Sequence, residues 1–191
     1  MSHLTLLLIA FGLAMDAFAV SISNGITIQR QRANHALRIG LFFGSFQALM
    51  PLIGWSAGLN LRDLISGVDH WIAFGLLFFI GCKMIYESTR MDIREKEVKP
   101  LTLSTLLVLS VATSIDALAV GISFALLKIS IVTPIIVIGV VTFVLSFLGV
   151  LTGSKIGHFF EKKIEILGGL ILIGIGIKIL IEHLFQSLPL T

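Results

Sequence analysis

Apolar residues in this chain neither alternate nor keep to one helical face; they run on. Six stretches, residues 4–28, 36–59, 68–86, 103–127, 131–154 and 164–184, are nearly continuous in Leu, Ile, Val, Phe, Ala and Gly. As helices rising 1.5 Å per residue, segments of about 20 residues cross roughly 30 Å of hydrocarbon. Short polar breaks separate the stretches, and the longest, "TRMDIREKEVKP" at residues 89–100, divides them into two sets of three. The pattern predicts an all-α membrane protein with six transmembrane helices. Residues 1–92 form a first three-helix unit, 93–100 a charged cytoplasmic connector, and 101–191 a second three-helix unit.

Composition supports the bilayer as solvent. The chain is 56% hydrophobic and 13% charged, with a mean hydropathy of +1.02, more apolar surface than a soluble fold of this size can bury. Eighteen glycines fit close helix packing in lipid. The single cysteine, Cys82, excludes an intrachain disulfide and any multi-cysteine metal site. The formal charge of +3 is better read by position than as a nucleic-acid signal. Arg30, Arg32, Arg38, Arg90, Arg94, Lys96, Lys99, Lys155, Lys162 and Lys163 fall in the first, third and fifth loops, against only Arg62 and Lys128 on the other side. That asymmetry places the ten in the cytoplasm and both termini outside a cytoplasmic (inner) membrane. Trp55 and Trp71 fall at the expected outer interface. Met1–His3 lack a basic cluster and the run from Leu4 exceeds a signal core, so it reads as a first membrane helix.

The halves repeat. "FGLAMDAFAVSIS" from Phe11 and "VATSIDALAVGIS" from Val111 align at an offset of 100, which matches Asp16 with Asp116 and Ser23 with Ser123. "GCKMIYE" from Gly81 and "GIKILIE" from Gly176 align at 95, and Gly54 and Gly58 match Gly153 and Gly157 at 99. Three helices per unit is an odd number, so the second unit must enter the membrane from the opposite side. The expectation is a pair of inverted three-helix repeats, with a binding site at their interface near the midplane.

Asp16 and Asp116 each lie at the centre of a predicted span. A charged aspartate at that depth costs about 2.5–3.5 kcal/mol on an insertion scale unless something compensates it. Two carboxylates brought together repel, and a divalent cation between them neutralises both. Ser23 and Ser123 lie two turns from the aspartates near the same helix faces. Thr113 stands one turn before Asp116, and Gly12, Ala19, Ala112 and Ala119 keep those faces small. Asn24-Gly25 can loosen a helix end, Gln47 offers an amide, and Pro51 removes a helix donor one turn later. The candidate metal ligands are therefore Asp16, Asp116, Ser23, Ser123, Asn24, Thr113 and Gln47. The bland readings differ by residue. Either aspartate can be the fixed ion-pair partner of Lys83 or Lys178; the hydroxyls can bond their own helix backbone; Met15 and Met50 can simply pack. Lys83/Glu87 and Lys178/Glu182 are spaced for structural pairs at i, i+4. The five histidines have no metal-ligand spacing.

Oxygen-rich ligands suit magnesium, calcium or manganese, whereas zinc and copper prefer imidazole or thiolate. "MDAFAVSISNG", "FGSFQALMPLIG" and "ATSIDALAVGISFA", in that order, resemble the manganese efflux pump (MntP) family of bacteria, and the resemblance spans nearly the whole chain, "GLLFFIGCKMIYE" and "GIKILIE" included. It implies manganese export, with Asp16 and Asp116 standing where the family's essential acidic residues stand and Gly25 matching a glycine of its first motif. Gly121 replaces the Ser21 of the first repeat, so the half-sites are not chemically identical. The expected activity is alternating-access efflux of manganese(II) as substrate, with no cofactor, no enzymatic reaction and no nucleic-acid partner. With no G-x-x-x-x-G-K-[ST] loop in the chain, a gradient of protons or of the metal itself would drive export. Export of another cation such as cadmium, or of an amino acid, fits the same architecture. An intramembrane aspartyl protease also needs two membrane aspartates, but here Asp16 follows "LAM" and Asp116 follows "TSI" rather than a Gly-x-Gly motif.

Overall fold

The computed structural model describes residues 2–27, 32–62, 69–90, 102–156 and 159–187. They form six helices: α1 His3–Thr27, α2 Arg32–Arg62, α3 Asp69–Arg90, α4 Leu103–Leu126, α5 Val132–Ile156 and α6 Phe159–Ser187. Each covers one predicted stretch. α2 and α6 extend past their apolar runs because helix hydrogen bonding continues into polar residues that hydropathy alone excludes. The connector at 93–100, the side chains of Glu87, Lys155, Lys162 and Lys163, and Gly157 lie outside the described residues, as do Arg30 and the side chains of Arg62 and Arg90.

The chain is built outside-in relative to a soluble protein. Leu4, Phe79 and Val108 are each 68% exposed, while Gln47, Ser110, Ser114, Thr142 and Ser146 are wholly buried. Such a surface is stable only against hydrocarbon. Among the described residues, four helices carry an apolar segment long enough to cross a membrane: His3–Ile26, Arg32–Asn60, Leu103–Leu126 and Val132–Gly153. The apolar run of α3, Trp71–Tyr86, is shorter.

The starts of α1 and α4 are capped alike. Thr5 N donates to Ser2 Oγ at 3.2 Å, and the two hydroxyls lie 2.8 Å apart. Thr105 N donates to Thr102 Oγ1 at 3.2 Å, and those hydroxyls also lie 2.8 Å apart. Each cap satisfies a first-turn N–H that the helix itself cannot. α4 ends in a Schellman turn, with Ile129 N donating to Phe124 O and Lys128 N to Ala125 O, and Lys128 in the left-handed region at φ 58°. The tight turn is tied to α2 by the Trp55 indole, whose Nε1 donates to Ile129 O at 3.0 Å.

The principal contacts are α1 with α5, α2 with α4, α2 with α5, and α3 with α6. Glycines set the close approaches, and their order gives helix direction. Gly54 lies against Leu118, and Gly58 against Ile122 and Ala125, so α2 and α4 run parallel. Gly149 lies against Phe18 and Ser21, and Gly153 against Ile22 and Gly25, so α1 and α5 run parallel. Gly40 meets Phe143 while Gly44 meets Gly139, so α2 and α5 are antiparallel. It follows that α1 and α4, the two aspartate helices, run in opposite directions. The same contacts correct one detail of the sequence alignment. Gly54 and Gly58 play the parts of Gly149 and Gly153, four residues short of the match at offset 99. Glycines spaced four apart align equally well after a slip of one helical turn, so the ladder hides its own register.

A Cβ on Gly54 would strike the Leu118 carbonyl, and one on Gly121 would strike Pro51, whereas Gly75 and Gly174 have nothing within 4 Å. Gly54→Ala and Gly121→Ala are therefore expected to destabilise the protein by about 1–3 kcal/mol through overpacking. Gly75→Ala and Gly174→Ala should leave it unchanged or slightly more stable. Thermal unfolding of the four variants in detergent distinguishes the two pairs.

Candidate functional site

The site is built around a contact between α1 and α4 that α2 bridges. Gln47, wholly buried on α2, donates its Nε2 to Leu13 O at 2.9 Å and to Thr113 O at 3.4 Å. One amide nitrogen thus reaches the backbones of both aspartate helices, and it does so one turn before each aspartate. Because the helices are antiparallel, Asp16 and Asp116 step away from this point in opposite directions, by about 4.5 Å of rise each.

Three buried oxygens near this level have no hydrogen-bond partner among the described residues: Gln47 Oε1, Thr142 Oγ1 and Ser146 Oγ. Pro51 compounds the effect at Gln47, since it lacks the N–H that would bond the Gln47 carbonyl. Thr142 and Ser146 stand one turn apart on α5. In the register set by Gly149 against Phe18 and Ser21, they come level with the turn of α1 that carries Asp16. Buried polar atoms are ordinarily satisfied, so each of these orphaned oxygens has capacity for a further ligand. Sequence reasoning missed Thr142 and Ser146. The one available sign was two hydroxyls at i, i+4 within the most apolar stretch of the second half.

Asp116 is enclosed, and its partner comes from α3. Lys83 Nζ lies 3.1 Å from Asp116 Oδ1, with side-chain exposures of 33% for the lysine and 7% for the aspartate. Asp116 is thus ion-paired with Lys83, which reaches across from α3 to α4. Lys178, at the matching position of α6, behaves differently. Its amine lies 3.1 Å from Thr5 Oγ1 at the start of α1 and 3.7 Å from Glu182 Oε1. Asp16, half-buried on α1, lies eleven residues further along from Thr5.

The remaining candidates are spread out. Thr113 Oγ1 donates to Leu109 O at 3.0 Å and Ser123 Oγ to Ala119 O at 3.1 Å, the backbone bonding expected of helical hydroxyls. Asn24 Nδ2 donates to Val20 O at 2.8 Å, and Ser23 is half-buried beside it. Ser23 and Asn24 lie two turns, about 10 Å, beyond Asp16, and Ser123 lies as far beyond Asp116 on the opposing helix. They flank the central level on opposite sides. Gly12, expected to leave room near Asp16, instead admits α6, with Leu172 and Gly168 against it. Among the described residues no three His, Cys, Asp or Glu side chains gather as a metal cluster.

A family model described as "Putative manganese efflux pump" matches residues 30–180. The chain belongs to that family. It is 57% identical to a Methanosarcina acetivorans protein named "Putative manganese efflux pump MntP" over 184 residues, covering 96% of this chain and 98% of the relative. Proteins of the same name from Clostridium perfringens (strain 13) and Crocosphaera subtropica are 55% and 57% identical. The alignments cover 96% of this chain and 96% of the first, and 94% of this chain and 96% of the second. No solved structure matches.

The two lysines should differ in their weight on stability. Lys83→Leu strands a buried carboxylate, which ordinarily costs about 3–5 kcal/mol. Lys178→Leu breaks contacts of a half-exposed amine, worth about 0–1 kcal/mol. Unfolding midpoints in detergent, without added metal, check the contrast.

Proposed function

We propose that the chain exports manganese(II) across the cytoplasmic membrane by alternating access, with the ion held near mid-membrane by Asp16 and Asp116. The observation that carries this reading is Gln47. Its amide nitrogen joins the two aspartate helices, and its Oε1 is buried without a partner at the same point. Amide and carboxylate oxygens are the donors that manganese accepts, and no thiolate or imidazole stands among them. Asp16 and Asp116 supply the charge that neutralises a divalent ion, and Gln47 Oε1 supplies a neutral oxygen. The orphaned hydroxyls of Thr142 and Ser146 complete the layer.

Six spans in two inverted units are the frame for this activity. Three features support it: the antiparallel course of α1 and α4, the matched caps at Thr5 and Thr105, and glycine contacts that recur when α4 is replaced by α1 and α2 by α5. Rocking one set of helices against the other about a midplane site opens it to each side in turn. The absence of a phosphate-binding loop in the sequence leaves an ion gradient as the energy source.

Asp16→Asn and Asp116→Asn should each lower manganese uptake into inside-out vesicles at least tenfold, about 1.4 kcal/mol, at unchanged amounts of inserted protein. Normal flux in either variant overturns the assigned ligand. Cadmium or amino-acid uptake in place of manganese uptake by the wild type overturns the cargo.

Gln47→Met removes two hydrogen bonds and one unsatisfied oxygen together. Its unfolding midpoint without metal should therefore lie within about 1–2 kcal/mol of wild type. The rise in midpoint that manganese induces in wild type should be lost in this variant.

A further inference from the structure

The proposed cycle contains an electrostatic problem that the metal cannot solve. Each round requires the carrier to reorient once loaded and once empty. When loaded, a divalent ion neutralises two carboxylates. When empty, the same carboxylates must pass through a low-dielectric state with nothing between them, and exposed charge at that depth strongly disfavours the passage. A built-in cation solves this if it can enter when the metal leaves.

We infer that Lys83 is a tethered counter-cation: it occupies the Asp116 half of the site in the metal-free carrier and is displaced when a divalent cation binds. This rests on the manganese-export reading above. Three observations carry it. The amine sits 3.1 Å from Asp116 Oδ1. It is not sealed there, because the aspartate is 7% exposed while the lysine side chain is 33% exposed on a long flexible stem. The matching lysine of the other half, Lys178, shows the alternative pose, its amine off the level of Asp16 and on the first-turn hydroxyl Thr5 Oγ1. Thr105, at the matching place on α4, carries the same cap geometry as Thr5. One lysine position therefore appears in two seats within a single molecule: on the mid-helix carboxylate and away from it.

An ammonium and a divalent cation on one carboxylate repel each other, so binding of one expels the other. The tether also sets a charge threshold. A covalently attached amine has a high effective concentration at the carboxylate, which a free monovalent ion gains little by challenging, whereas a divalent ion that engages both aspartates can displace it. Lys83 is thus a specificity-determining residue that favours divalent over monovalent cargo, as well as the charge that allows empty return.

The test compares wild type, Lys83→Gln and Lys83→Arg. Glutamine keeps a hydrogen-bond donor for Asp116 but removes the charge; arginine keeps both. In detergent, Lys83→Gln should bind manganese about tenfold more tightly, the scale of one relieved like-charge contact, and sodium or potassium should now compete. In proteoliposomes its net manganese efflux should fall at least tenfold, while manganese-for-manganese exchange, in which both passages are loaded, should persist. Lys83→Arg should resemble wild type in both. A second measurement needs no variant. Manganese should raise acylation of the Lys83 amine several-fold in the wild-type protein, read by peptide mass spectrometry. If Lys83→Gln binds manganese no more tightly, or loses exchange and net efflux in parallel, Lys83 is a structural partner and the inference fails. Unchanged or reduced acylation with metal also overturns it. If the wild type itself neither binds nor moves manganese, the functional reading fails first and takes this inference with it.

Discussion

A carboxylate in hydrocarbon must be neutralised or satisfied, and the structure meets that demand at Asp116 with a lysine from another helix. Each aspartate costs about 2.5–3.5 kcal/mol at mid-membrane if left alone. At Asp116 the demand is met by Lys83, brought across from α3. Gln47, through the backbone carbonyls of Leu13 and Thr113, fastens α1 to α4 one turn before both acidic positions.

The packing follows from the same solvent. Lipid tails are as apolar as leucine, so helices in a bilayer are not driven together by burial of apolar area; they need close backbone approach and dispersion contacts. Gly54 and Gly58 on α2, and Gly149 and Gly153 on α5, supply that approach against α4 and α1 respectively. Some bulky residues, Phe79 and Val108 among them, face the outer surface and the solvent that suits them, while Phe43, Phe124, Leu13 and Leu172 fill the interior.

Much of this was legible in the chain. Long apolar runs separate cleanly, and all six helices fall where hydropathy places them. Asp16, Asp116 and Gln47 stand out because acidic and amide groups are conspicuous in such company. Other features were less visible. The four-residue spacing of glycines permits two alignments one turn apart, and only the contacts choose between them. Lys83 has an acidic residue four positions on, which hides its longer reach to another helix. Thr142 and Ser146 look like ordinary helical hydroxyls until burial shows them without partners. Ser123 and Thr113 look similar in sequence, yet they are satisfied by their own backbone. Sequence reveals which groups are unusual for their solvent; it does not reveal which are left unsatisfied once the helices have met.

On the export reading proposed above, the two halves differ where a carrier needs them to differ. Equivalent helices begin with the same cap and pack through equivalent glycines, but their lysines occupy unlike seats, one on Asp116 and the other on Thr5. A frame with two like halves has a natural partner state in which the roles are exchanged, at similar energy because the contacts exchanged are of the same kind. An equilibrium between two such states responds only to a ligand that interacts differently with each. A cation that competes with an amine for one carboxylate is such a ligand. Asymmetry between otherwise matching halves therefore gives the metal something to act on.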